Sequence, residues 1–154
     1  MTSRRFDIKA RLHAQCLARL QQLADILERA MADAQAAANE ETKSSVGDKY
    51  ETGRAMMQAE KDKYARQLAT TLASLRLLET INPQEGHQRV EAGSLVRTNE
   101  GLYYFSAPLG KVALDGEMFF ALSLASPLGQ ALLGKQAGEE VLFQARKVVV
   151  VELW

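Results

Sequence analysis

Proline and glycine are distributed very unevenly along this chain, and this restricts how its first half can fold. All three prolines and eight of the ten glycines lie from Pro83 onward, which leaves only Gly47 and Gly53 before it. The first half is rich in residues that favour helices and shows no alternation with a period of two. We therefore predict two domains, residues 1–82 and 83–154, of which the first is almost entirely helical.

Apolar residues of the first domain follow helical spacing in two stretches. The first stretch is Ile8, Leu12, Cys16, Leu20, Leu23, Leu27, Ala30, Ala34 and Ala37, and the second is Tyr50, Met57, Tyr64, Leu68, Thr71, Leu75 and Leu78. Two such helices must cover each other's apolar faces, so the spacing predicts an antiparallel coiled-coil hairpin with its turn at about 39–48. Arms of about 30 residues would extend roughly 45 Å.

The second domain changes period. Short runs rich in β-branched and aromatic residues begin at Ser94, Leu102, Val112, Met118, Val141 and Val148. Turn residues separate these runs, and Asp115-Gly116 is typical of a two-residue hairpin. Ser126 and Pro127 favour the start of one short helix, and Gly134 favours its end. The fold class is therefore α+β, with a small antiparallel sheet lobe and one helix.

Charge and composition exclude several classes of protein. The 19 basic and 19 acidic residues give no net charge, which argues against a broad polyanion-binding surface. No apolar run approaches the roughly 20 residues of a membrane span, and the first residues lack the apolar core of a signal peptide. The single cysteine permits no intrachain disulfide. We expect a cytoplasmic protein that binds no membrane.

Few residues have a pattern that indicates chemistry. His13 and Cys16 are the one His/Cys pair at ligand spacing, but two ligands fall short of a structural zinc site, and Cys16 lies on the apolar stripe. No phosphate loop, nucleophile elbow or paired cysteine motif occurs. We therefore predict that the protein is not an enzyme, holds no metal or cofactor of its own and has no small-molecule substrate.

Four carboxylates are concentrated near the predicted turn. They fall within twelve residues: Glu40, Glu41, Asp48 and Glu51. Solvated helix ends commonly carry carboxylates, and Lys43 and Lys49 lie among these, so a functional tip and a plain helix end are both compatible with the pattern.

One segment resembles a known family. Ser126 to Val141 (SPLGQALLGKQAGEEV) is similar to the signature Ser-Pro-hydrophobic-Gly-x-Ala-Leu-hydrophobic-Gly-Lys-x-x-Gly-Asp-x-Val of the bacterial Gre transcription elongation factors. Members of that family have an amino-terminal coiled-coil hairpin followed by an FKBP-like α+β lobe. The resemblance implies the same architecture here.

The resemblance also implies a partner and a mode of action. The lobe would dock on bacterial RNA polymerase at the rim of the secondary channel, while the coiled coil reaches toward the catalytic centre and meets nucleic acid only inside that complex. The predicted docking residues are Leu133, Gly134, Lys135, Gly138 and Glu139. In the family, an Asp and a Glu at the tip help to hold a Mg²⁺ ion shared with the polymerase, which then cleaves a backtracked transcript.

The tip departs from the family motif Gly-Asp-Leu-Ser-Glu-Asn-Ala-Glu-Tyr. If Tyr50 corresponds to the motif's Tyr, the two acids become Lys43 and Val46. If Gly47-Asp48-Lys49-Tyr50-Glu51 corresponds to Gly-Asp-Leu-Ser-Glu, the acids remain as Asp48 and Glu51, but the register moves by about one helical turn. Both alignments stay open. We expect channel occupancy with weak or no stimulation of cleavage.

Two other functions compete with this interpretation. An FKBP-like lobe is also compatible with a peptidyl-prolyl isomerase, although the lobe is short for a deep pocket and fold does not determine function. The helical stripes alone are compatible with a coiled-coil interaction protein that has an unrelated partner.

Overall fold

The computed structural model describes the backbone of residues 2–44 and 48–154, and the side chains of residues 4–40 and 51–154. Two long helices come first, then six strands and one short helix. They are α1 (Thr2–Ser44), α2 (Asp48–Thr80), β1 (Leu95–Thr98), β2 (Gly101–Phe105), β3 (Gly110–Leu114), β4 (Glu117–Leu122), α3 (Pro127–Leu132), β5 (Glu140–Phe143) and β6 (Arg146–Leu153). The α+β class is confirmed.

The predicted turn at about 39–48 is wrong at both of its ends, because α1 continues to Ser44 and α2 begins at Asp48. Glu40, Glu41 and Lys43 are good helix formers, so the absence of an apolar stripe there does not end the helix. At its other end, α2 stops at Thr80, just before Asn82-Pro83. Proline disfavours helical geometry at the residue before it, which explains why the helix ends here.

The chain divides into two compact units. We call Met1–Ala18 with Arg76–Trp154 the sheet unit, and Arg19–Leu75 the helical unit. The predicted domains 1–82 and 83–154 stay a prediction.

In the helical unit, much of the predicted apolar stripe is buried. Leu20, Leu27 and Ala34 of α1 and Leu75 of α2 are among its buried residues, but Leu23 is 40% exposed and Ala24 is buried instead. Lys61 of α2 donates a hydrogen bond to Gln35 of α1, with 2.7 Å between Nζ and Oε1. The two helices are therefore in contact, while coiled-coil geometry stays a prediction.

The sheet unit contains one six-stranded sheet in the order β3-β4-β2-β1-β6-β5. All of its neighbouring pairs are antiparallel except β2 and β4, which are parallel, with Leu102 opposite Phe119. The sheet is thus mixed, and the prediction of an antiparallel sheet is wrong. The chain crosses from β2 to the sheet edge as β3 and returns as β4 beside β2. Turn residues specify local hairpins but not this non-local pairing.

Both faces of the sheet are covered within this unit. On one face, α3 contributes Leu132 to a core that includes Val96, Phe105, Val148 and Val150. On the other face, α1 contributes the buried Leu12 and Cys16, and its His13 contacts the fully buried Tyr104 of β2. Successive residues of a strand point to opposite faces, so Phe105 packs in the core on the α3 side and Tyr104 packs on the α1 side.

Candidate functional site

Helix α3 begins as its sequence predicts. Ser126 is the N-cap residue with an extended backbone (φ −64°, ψ 157°), and Pro127 follows at the first helical position. The Ser126 Oγ accepts a hydrogen bond from the Gly129 N–H at 3.1 Å and donates one to the Ser123 carbonyl at 2.7 Å. The predicted cap is confirmed. This hydroxyl satisfies a helix N–H that would otherwise lack a partner.

Gly129 allows α3 to lie directly on the preceding segment. A Cβ built there would come within 2.6 Å of the Ser123 carbonyl oxygen and 2.7 Å of the Leu124 carbonyl oxygen. Because both are backbone atoms, no side-chain rotation can relieve the contact. The glycine of the Ser-Pro-hydrophobic-Gly sequence thus has a packing role.

The structure brings the five predicted docking residues into one connection between α3 and β5, and backbone hydrogen bonds hold this connection at both ends. At the first end, the Gly134 N–H donates to the Val90 carbonyl at 2.8 Å, and the Val90 N–H donates to the Lys135 carbonyl at 2.9 Å. At the second end, Gly138 donates to Val150 at 2.7 Å. Gly134 has a φ of +79°, in the left-handed region that favours glycine.

The side chains of this connection are available at the surface. Leu133 is 48% exposed. Lys135 and Glu139 form an ion pair at 4.0 Å, and the Glu139 carboxylate also accepts a hydrogen bond from the Gln136 N–H at 2.9 Å. The connection therefore presents an apolar side chain beside a paired positive and negative charge, on a backbone that is already ordered.

The sequence patterns did not single out an exposed leucine on the neighbouring strand. Leu142 of the edge strand β5 is 79% exposed, while its neighbours Val141 and Phe143 pack against the core. The alternation of burial along β5 could have identified it, because residues on either side of a core-facing residue point away from the core.

The tip acids are placed only in part. Glu40 and Glu51 are exposed side chains on α1 and α2. The side chains of Glu41 and Asp48 lie outside the described residues. Asp48 is the first residue of α2 and Glu51 follows three positions later, a spacing that puts two residues on one side of a helix.

His13 forms a buried polar contact with Tyr104. His13 Nδ1 lies 2.8 Å from the Tyr104 hydroxyl, and the two rings meet edge to face with 6.1 Å between centroids. Burial lowers the pKa of His13 and raises that of Tyr104. Cys16 is fully buried. Among the described residues, no group of three or more His, Cys, Asp or Glu is arranged to hold a metal ion.

Sequence reasoning missed a buried lysine. Lys9 is fully buried, and its Nζ donates to the carbonyl oxygens of Glu85 at 2.8 Å and Trp154 at 3.1 Å. Burial lowers its pKa to about 8, although the nearby Glu85 and Glu91 carboxylates act in the opposite direction. A signal was present, because Lys9 lies four residues before His13 and seven before Cys16, on the same side of α1.

Comparisons with known proteins add no relative. No protein-family model matches this sequence, and no curated protein matches it. In the part of the chain that the structure describes, no helix is both long and apolar enough to cross a membrane. The resemblance to the Gre factors therefore depends on the Ser126–Val141 segment and on the order of the predicted elements.

Proposed function

We propose that this protein is a Gre-like regulator of transcript elongation that binds bacterial RNA polymerase. Its lobe would dock at the secondary channel through the connection between α3 and β5, and the ends of α1 and α2 would reach toward the catalytic centre. It would act in the cytoplasm, need no cofactor of its own and perform no catalysis itself. The FKBP-like and coiled-coil descriptions belong to this proposal.

The observation that carries the proposal is the segment from Ser126 to Val141. Its Ser, Pro and first two Gly positions have identifiable local roles in capping, starting, packing and ending α3. Those roles concern the local fold of α3, whereas the exposed Leu133 is not needed for any of them. A side chain that the local fold does not require is one on which a partner can act.

The length of the helices also supports the proposal. Helix α2 has 33 residues, which corresponds to about 50 Å at the usual rise per residue. This is longer than the ordinary helix of a globular domain. A long helix pair suits a protein that must reach a centre deep inside its partner.

The docking part of the proposal can be tested with two equally exposed side chains. Leu133 and Met118 are each 48% exposed, but Met118 lies on β4, outside the predicted docking residues. The full chain should recover host polymerase subunits from a lysate in stoichiometric amount. Leu133→Glu should reduce this recovery by about tenfold, because a charge would enter the contact, whereas Met118→Glu should leave it unchanged.

Absence of polymerase subunits from the wild-type recovery would contradict the proposal. Recovery of one different protein would instead favour the coiled-coil interaction protein. Equal losses in the two variants would show that Leu133 has no specific role in docking.

The tip is tested separately on a stalled, backtracked elongation complex. We expect inhibition or altered pausing without transcript shortening, and no change when both Asp48 and Glu51 are replaced by Ala. The control replaces Asp25 and Glu28, an exposed pair of acids on α1 with the same three-residue spacing. Strong shortening that disappears in the Asp48→Ala/Glu51→Ala variant, and persists in the control, would establish a cleavage-stimulating tip.

A further inference from the structure

A cavity of about 350 Å³ lies between the first turns of α1 and the sheet, entirely within the sheet unit. Its apolar lining comes from α1, two neighbouring strands and the last residue of the chain, namely Ile8, Leu102, Phe119 and Trp154. The volume is within the range of small-molecule sites in proteins, which are usually apolar with a few polar groups. None of the predicted docking or tip residues lines it.

The polar lining is rich in guanidinium groups. Arg4, Arg5 and Arg97 line the cavity. Arg5 lies over the Trp154 ring, with 5.1 Å from its Cζ to the ring centroid. Arginine binds oxyanions through two parallel N–H donors, so three guanidiniums around one cavity suit a carboxylate or a phosphate.

The carboxylates of the lining have their oxygens largely occupied. Glu152 is shared, because Arg5 Nη2 lies 2.8 Å from Oε2 and Arg97 Nε lies 3.3 Å from Oε1. Both oxygens of Asp115 accept from Arg11, at 2.6 and 2.8 Å. Glu117 is the remaining lining carboxylate, and it is exposed, so solvent and salt screen its charge.

The guanidiniums, in contrast, have donors to spare. Arg97 forms an ion pair with Glu152, most closely through Nε, and with no other carboxylate of the described residues, so one carboxylate faces its five N–H donors. Arg4 forms no ion pair with any residue whose side chain is described, although it is close enough to help lower the pKa of Asp115. Because the carboxylates of the lining are largely occupied and its guanidiniums have donors left, the cavity suits a ligand that accepts hydrogen bonds.

We propose that this cavity binds a small amphipathic oxyanion, a carboxylate or phosphate monoester with an apolar body. The oxyanion would take the unused N–H groups of Arg4 and Arg97, and the apolar body would lie against Ile8, Leu102 and Phe119. This inference is independent of the proposed function, since it uses neither the docking residues nor the tip.

The protein contains its own reporter for this site. Trp154 is the single tryptophan of the chain, and it lines the cavity while only 9% exposed. Tryptophan fluorescence emission can therefore report binding when the full chain is titrated with hexyl phosphate, hexanoate or inorganic phosphate. Hexyl phosphate or hexanoate should give a saturable change, with inorganic phosphate at least about tenfold weaker because it lacks the apolar body. The organic probe with the lower Kd shows whether the site prefers a phosphate or a carboxylate headgroup.

Two variants and a control locate the binding. Arg4→Gln and Arg97→Gln should each weaken binding of the organic probe by about tenfold, because each removes charge-assisted donors. Arg4→Gln is the cleaner variant, since Arg4 has no ion pair in the described part of the chain. Arg76→Gln, an exposed arginine of the sheet unit away from the cavity, should bind as the wild type does.

The proposal is overturned if neither organic probe gives a saturable change up to about 10 mM, since a weaker Kd would mean less than about 2.7 kcal/mol of binding free energy. It is also overturned if Arg4→Gln and Arg97→Gln bind as tightly as Arg76→Gln, or if inorganic phosphate binds as well as hexyl phosphate.

Discussion

His13 Nδ1 lies 2.8 Å from the Tyr104 hydroxyl, and this contact joins α1 to the central part of the sheet. Burial lowers the pKa of His13 and raises that of Tyr104, so the imidazole is neutral and the phenol protonated at neutral pH. The Tyr104 O–H therefore donates to Nδ1. Both groups are buried, which makes the hydrogen bond necessary to each of them.

Removal of this hydroxyl should destabilise the protein. Tyr104→Phe leaves His13 Nδ1 buried without its donor, a loss of about 1–3 kcal/mol in the free energy of unfolding. Tyr103→Phe is the matched control, because Tyr103 is only partly buried and its hydroxyl bonds to no described residue. It should change stability by less than about 0.5 kcal/mol. Urea denaturation of both variants measures the difference, and equal effects would contradict the role of the hydrogen bond.

Lys9 should make stability depend on pH in the alkaline range. Burial lowers its pKa in the folded protein to about 8 from 10.5, so the unfolded chain binds more protons between these values. Below pH 8 Lys9 is charged in both the folded and the unfolded state, so the full free-energy cost of burying the charge applies. This cost falls as the pH rises from 8 toward 10.5. The stability of the wild type relative to Lys9→Met should thus increase over this interval. A difference independent of pH would show that Lys9 keeps its ordinary pKa.

The Ser126 cap should contribute measurably to stability. Ser126→Ala removes the acceptor of the Gly129 N–H and should lower the free energy of unfolding by about 0.5–2 kcal/mol. Ser126→Asn keeps an acceptor and a donor at this position and should retain most of the stability. Thermal unfolding compares the two variants. Unchanged melting of Ser126→Ala together with a lost effect on transcription would oppose the structural role.

Gly129 and Gly134 are needed for different reasons, and alanine separates them. Gly129→Ala forces a methyl group against backbone oxygens and should destabilise by about 1–3 kcal/mol or more. Gly134→Ala meets nothing within 4 Å, so its effect is limited to the left-handed backbone, about 1–2 kcal/mol. Gly134→Asn should be milder than Gly134→Ala, while Gly129→Asn should be at least as severe as Gly129→Ala. Chemical denaturation of the four variants tests this order.

Several local features of the fold were predictable from the sequence. Asp115 and Gly116 both have positive φ (51° and 78°), as the two-residue hairpin signal requires. All six predicted strand runs overlap an observed strand, and the cap of α3 is at Ser126. These features depend on residues within a few positions of one another. Local backbone preferences and turn chemistry are therefore sufficient to specify them.

The features that only the tertiary structure decided join residues that are distant in sequence. The ammonium of the buried Lys9 donates to the Trp154 carbonyl, 145 positions away. Strand β4 is parallel to β2 because β3 takes the sheet edge and β4 returns between β3 and β2. The arginine-lined cavity likewise needs Arg4 of α1 beside Arg97 of β1. The spacing of apolar residues predicts which side of a helix or strand is apolar, but not which other element covers that side. Long-range packing makes that choice, and with it the burial of charges and the position of cavities.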